Sequence, residues 1–258
     1  MILLKNNNWW NAVRLSSILA FVIIVPLYTY LKLIKYMDVA GVEYCMNDVY
    51  CVTQTNTMFV MLPIAELVMI NYIKHDFRAA VIVRVGNMRR FWIRLVKKMA
   101  IISGILATYC YVTTTVTGLG MAVYNCNWFK DNSNAYDLLH MHTDMNVHVV
   151  YVSLIFILVE FTTILIMGMV IALFWWCWNQ PIYGYVLMIV LMTLEMGVSP
   201  SAAQIFFSNV SMSIVKMILY GIDVNKQVIL PFISIGIVFI IGLALIRKKD
   251  FIKGGECV

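Results

Sequence analysis

Charge is scarce in this chain. Asp, Glu, Lys and Arg make up 12% of its 258 residues, against about a quarter in a soluble globular protein, so most of the molecule cannot present a solvated surface. Short catalytic and nucleotide motifs are missing as well. No GxxxxGKS or GxxxxGKT loop is present to cradle phosphates, which excludes ATP binding by that route, and neither a GxSxG nucleophile elbow nor an HExxH zinc-protease helix occurs. The six cysteines, Cys45, Cys51, Cys110, Cys126, Cys177 and Cys257, form no CxxC pair and no Cys/His spacing of the zinc-binding kind. No metal site and no cofactor within the chain is expected.

What is abundant is apolar side chain: 62% of the residues, with a mean hydropathy of +0.84. This composition belongs to an integral membrane protein. The net charge of +6 is no sign of nucleic acid, because the surplus lies beside apolar runs, where it attracts anionic lipid head groups and fixes orientation. The first such run, Leu15 to Leu31, follows Lys5 and Arg14 without a small-residue cleavage site, and so reads as an uncleaved span.

The basic block from Lys74 to Lys98 holds eight Lys/Arg between two runs, Gln54 to Ile73 and Met99 to Tyr124, whose single charge is Glu66. Each run is long enough to cross about 30 Å of hydrocarbon as a helix. Charge-poor stretches of helical length predict an all-α, polytopic protein with six transmembrane spans, about 15–34, 54–73, 99–124, 148–175, 182–200 and 227–246, in a single domain. Placing Met1 to Arg14, the basic block and Arg247 to Val258 in the cytoplasm collects 14 of the 19 Lys/Arg there, which predicts that both termini are cytoplasmic. Asp38, Glu43, Asp48, Asp131, Asp137, Asp144 and Asp223 then lie outside, as do Cys45, Cys51 and Cys126. A Cys45 to Cys51 bridge and free thiols both stand as readings at this point.

Two connections carry further expectations. Trp175, Trp176, Trp178 and Tyr183 around the charge-free turn Trp176 to Pro181 predict a loop held in the head-group layer. Pro181 to Val215 is too long for one straight span, and Gly197, Ser199 and Pro200 supply a break, so a non-spanning helical elbow is expected over Ser201 to Tyr220.

Inside the basic block, Met88, Phe91, Trp92, Leu95, Val96 and Met99 share one side of a helix, with Arg90, Arg94, Lys97 and Lys98 on the opposite arc. That register predicts an amphipathic helix at the interface. A second arm is expected over Asp76 to Val85, with Gly86-Asn87 as the elbow, since Gly accepts positive φ and Asn caps helix starts. A plain solvated loop explains the charge but not the register.

Glu66, Glu160 and Glu195 lie within apolar runs, where exposure of a carboxylate to lipid costs about 2.5 kcal/mol or more. They should face the bundle interior, either lining a cation- or proton-sensitive pathway or bonded to neighbouring polar groups. His140, His142, Asp144 and His148 cluster in the outer segment, but their spacing does not place the first two on one helical face. Thr113, Thr114, Thr115 and Thr117 with Gly118 and Gly120 read as close helix packing.

The run Val83-Arg84-Val85-Gly86-Asn87-Met88-Arg89-Arg90-Phe91-Trp92, then Arg94 and Lys97-Lys98, resembles the cytoplasmic segment between spans two and three of six-span permease subunits of bacterial ABC exporters. That group includes Gram-positive permeases of antimicrobial-peptide and lantibiotic immunity. The close, Leu245-Ile246-Arg247-Lys248-Lys249-Asp250-Phe251, is similar to their last span and basic terminus. The resemblance implies a multi-pass protein of the bacterial plasma membrane without enzymatic activity of its own. It implies a coupling helix seated on a separate cytoplasmic ATPase subunit that binds the ATP, with Arg84, Gly86, Asn87, Arg89, Arg90 and Arg94 as contacts. It also implies a second permease subunit, identical or related, and an amphipathic substrate; Glu66, Glu160 and Glu195, read from their apolar surroundings, are the candidates for the translocation pathway. Two alternatives from other classes are a membrane-embedded lipid-modifying enzyme, which would need paired carboxylates on one helix, and a non-transporting membrane sensor.

Overall fold

The computed structural model describes residues 6–38, 41–78, 81–82, 85, 87–140, 144, 146–197 and 224–247. Within them seven helices follow in order: α1 (Asn6–Met37), α2 (Met46–Ile73), α3 (Met88–Leu119), α4 (Asn134–Leu139), α5 (Val149–Trp178), α6 (Pro181–Gly197) and α7 (Val224–Arg247). There is no strand among the described residues, only two isolated bridges, Glu43 to Ser133 and Cys45 to Tyr124. Three helices, α1 from Leu15 onward, α3 and α5, are long and apolar enough to cross a membrane, and Val60–Ile73, Pro181–Val190 and Pro231–Ile246 form shorter apolar stretches. The chain is a helical membrane protein.

The position of each helix follows from its pattern. With Glu160 as its one charge, α5 is apolar all round and sits in the middle, touching α2, α3, α6 and α7. The outer helices instead leave Leu19, Ile23, Ile101, Ile105, Ile237 and Ile240 exposed, a belt that suits lipid and would be costly in water. Close approaches use glycine. A Cβ on Gly184 of α6 would meet the Ile171 Cα of α5 at 2.9 Å, one on Gly118 of α3 would press on Met46 and Val49 of α2, and one on Gly242 of α7 would overlap the Trp92 ring of α3 at 2.3 Å. The threonines of α3 fit the packing role: Thr115 and Thr117 donate to carbonyls one turn back, and the Thr115 hydroxyl meets Tyr50 Oη at 2.8 Å.

Cross-helix contacts sort the helix ends into two groups. Tyr36, Glu43 to Asp48, the segment 124–134 and Val147 meet at one end. Phe77, Phe91, Trp175 and Trp176 meet at the other, beside the Lys98–Asp76 ion pair.

Three expectations are corrected. The amphipathic segment is not a separate interfacial helix: α3 runs unbroken from Met88 to Leu119, and the expected span to Tyr124 stops at Leu119, where Gly120 closes the last turn. Trp175 and Trp176 are buried rather than held among head groups, whereas Trp178 and Tyr183 are exposed. Helix α5 ends only at Trp178, on Asn179 in the left-handed conformation (φ 59°). The expected elbow over Ser201 to Tyr220, and the residues Ser199 and Pro200 of the break, lie outside the described residues.

Candidate functional site

The first turns of α3 carry a cluster of exposed cations on one side and buried aromatics on the other. Asn87 begins the helix: its Oδ1 accepts from the amides of Arg89 (3.0 Å) and Arg90 (3.2 Å), satisfying two donors that a helix start leaves open. Helical residues Val81, Ile82 and Val85 precede it, and the Asn87 amide returns to the Val85 carbonyl at 2.7 Å, a tight reversal. Asn87, Arg89, Arg90, Arg94 and Lys97 are exposed, while Phe91, Trp92, Leu95 and Met99 are buried. Arg84 and Gly86 lie outside the described residues.

The buried side of this turn is fixed to three other elements. Phe77 stacks on Trp175 (4.4 Å between ring centroids, 1° between planes) and meets Phe91 edge-on at 6.0 Å, and Phe91 packs on Trp176 at 5.5 Å. Trp92 is fully buried and donates its indole N–H to the Phe239 carbonyl of α7 at 3.1 Å. Lys98 Nζ reaches Asp76 Oδ2 at 2.5 Å and the Tyr72 carbonyl at 3.2 Å, and lies 4.6 Å from the Tyr72 ring centroid. The start of α3 is thus packed against α5, α7 and the chain after α2, with cations outward and aromatics inward.

Comparison with family models, curated proteins and solved structures gave no match. The geometry must carry the reading.

Of the carboxylates within apolar runs, Glu66 on α2 and Glu160 on α5 are buried, and none of their oxygens has a hydrogen-bond partner among the described residues. Glu66 lies beside Gly168 of α5 and close to Tyr185 of α6, whose hydroxyl donates to the Pro63 carbonyl at 3.3 Å. Glu160 lies near Cys110 of α3. The two carboxylates thus mark separate levels of the interior, and the bonded reading of them fails among the described residues. For Glu195 the helix alone is described. A lateral crevice of about 300 Å³ opens between α1, α2 and α3, walled by Ile18, Phe21, Val68 and Ile102, with Tyr72 and Lys98 at one end.

The opposite end holds an arrangement that sequence reasoning missed. Asp48, in the first turn of α2, is buried and accepts four hydrogen bonds: the Cys45 amide (2.9 Å), the Cys45 thiol (3.1 Å), the Trp128 indole N–H (2.8 Å) and Asn134 Nδ2 (3.0 Å). Burial pushes its carboxyl above the usual range, outweighing those four bonds, each of which lowers it. Asn47 adds a bond to the Val147 carbonyl and Asn127 one to the Glu43 carbonyl. The signal available in sequence was a lone Asp six residues before the run that starts at Gln54, which by itself names no partner.

The Cys45 to Cys51 bridge is overturned. Cys45 caps α2 and Cys51 lies six residues along it, a rise of about 9 Å, whereas bridged Cα atoms lie within about 7 Å. His140 ends α4 with φ 53° and His148 caps α5, accepting from the Val150 amide at 3.2 Å. No group of metal-ligating side chains occurs among the described residues.

Proposed function

We propose that the chain is the membrane-spanning permease subunit of a bacterial ABC exporter, multi-pass in the plasma membrane, with six crossings and both termini in the cytoplasm. It performs no catalysis. A separate ATPase subunit binds and hydrolyses ATP, and a second permease subunit completes the pathway. The observation that carries the reading is the start of α3: Asn87, Arg89, Arg90 and Arg94 exposed on one side, Phe91, Trp92 and Leu95 locked into α5 and α7 on the other. A partner that grips such a turn moves the helices behind it, because a packed interface transmits displacement rather than absorbing it. Arg84 and Gly86 extend the contact surface by sequence.

The cargo proposed is amphipathic, an antimicrobial peptide or a lipid-like molecule; the apolar lateral crevice of about 300 Å³ would take an acyl chain or an apolar side chain of it rather than the whole molecule. Glu66, Glu160 and Glu195 are proposed to line the pathway: the first two are buried without a hydrogen-bond partner among the described residues, which costs stability and is kept where it serves, and Glu195 joins them by sequence alone.

The test is copurification of the tagged protein with an ATPase from its own membranes. Association lost in the Arg89→Glu, Arg90→Glu double variant supports the reading; association and ATP-driven export both unchanged refute it.

A further inference from the structure

We propose that Cys45 and Cys126 are a disulfide pair, a redox modification site joining the start of α2 to the segment after α3. The inference rests on the outward orientation of that end, which is part of the function proposed above.

The two segments run side by side. Cys45 and Tyr124 form a parallel bridge, the Met46 amide donates to the Tyr124 carbonyl at 2.8 Å, and the Asn47 amide donates to the Asn125 carbonyl at 3.3 Å. Asn127 Nδ2 to the Glu43 carbonyl and the Trp128 indole to Asp48 hold the register from the far side. Between these ties the Cys45 and Cys126 side chains come close enough for each thiol to shift the acidity of the other, on backbones that the Cys45–Tyr124 bridge already holds side by side.

Their surroundings divide the roles. Cys126 is half-buried and reachable, and its thiol is held below the ordinary range by the Cys45 thiol first, then by the amides of Trp128 and Val147 and by Asn47. Cys45 is fully buried, and the neighbouring Cys126 first, then burial and Asp48, keep its thiol protonated. Cys126 thiolate attacks a disulfide oxidant, breaking that S–S bond and expelling one of its sulfurs as a thiol. Cys45 then passes its proton to Asp48 Oδ2, 3.1 Å away, and attacks the Cys126 sulfur. The Cys45–Cys126 bond forms and the second sulfur of the oxidant leaves, taking up a proton. Two thiols are oxidised and one disulfide is reduced to two thiols.

Whole cells are treated with N-ethylmaleimide, and the purified wild-type protein is digested with chymotrypsin without reduction and read by mass spectrometry. The expected product is one linked pair of peptides containing Cys45 and Cys126 that separates on reduction. In parallel, Cys126 of a Cys45→Ala variant is exposed in intact cells to a membrane-impermeant maleimide, and labelling without lysis is expected. Recovery of both cysteines as alkylated thiols in the wild type, with Cys126 of the variant labelled in intact cells, overturns the bond while leaving the orientation in place. Labelling only after lysis overturns the orientation and the bond with it. A Cys45 linked to any other cysteine also overturns the assignment.

Discussion

Phe77 and Trp175 lie ring on ring, 4.4 Å apart and parallel to within 1°, although they are 98 positions apart in the sequence. The pair joins the chain just after α2 to the last turn of α5, and Phe91 and Trp176 extend it into α3. Trp175→Ala should lower unfolding free energy by about 3 kcal/mol, the usual cost of emptying a buried aromatic site. Thermal unfolding in detergent reads it. In the proposed transporter this variant keeps its ATPase partner but loses export per ATP hydrolysed, because the grip survives and the lever does not.

Arg89→Glu with Arg90→Glu should do the opposite. Both side chains are exposed, so unfolding temperature changes little, within about 0.5 kcal/mol, while partner binding disappears. Asn87→Ala lies between, costing about 1 kcal/mol through the lost cap.

Gly242→Ala should destabilise by about 1 to 3 kcal/mol, since the new Cβ would fall 2.3 Å from the Trp92 ring. Gly236→Ala on the same helix meets nothing within 4 Å and should be neutral or slightly stabilising. The contrast between the two unfolding temperatures tests the α3–α7 contact directly.

Asp48 gives the contact between the start of α2 and the segment after α3 a pH dependence. Its carboxyl is raised in the folded state by burial, so its contribution is complete below the ordinary carboxylate range and is lost as pH rises through the raised value. Unfolding temperature should therefore fall toward higher pH, and Asp48→Asn should flatten that slope. Asp48→Ala should cost about 3 kcal/mol, leaving the Trp128 and Asn134 donors buried without their acceptor.

Glu66→Gln should leave thermal stability unchanged or raise it, since no group among the described residues depends on the charge, while export falls. Unchanged export would remove Glu66 from the pathway.

Helix positions were legible because a span must keep about 20 successive residues nearly free of charge, and the start of α3 was legible because Asn87 and its apolar register act locally. The inward turn of Trp175 and Trp176 was not, since a tryptophan at a span end suits head groups or a core equally, and Phe77 decides between them. The same holds for Asp48 and Cys45. Proximity in sequence favoured Cys51, but helix rise carries Cys51 away, and the real neighbour arrives from 81 positions on.

Asp48 lies early in the chain and its partners Trp128 and Asn134 come 80 and 86 positions later. During synthesis α2 therefore starts with an acid group that has only its two local bonds from Cys45, and the other two wait for the segment that follows α3. Insertion of this protein is completed in hindsight: its opening hairpin becomes secure only when the middle of the chain has followed it.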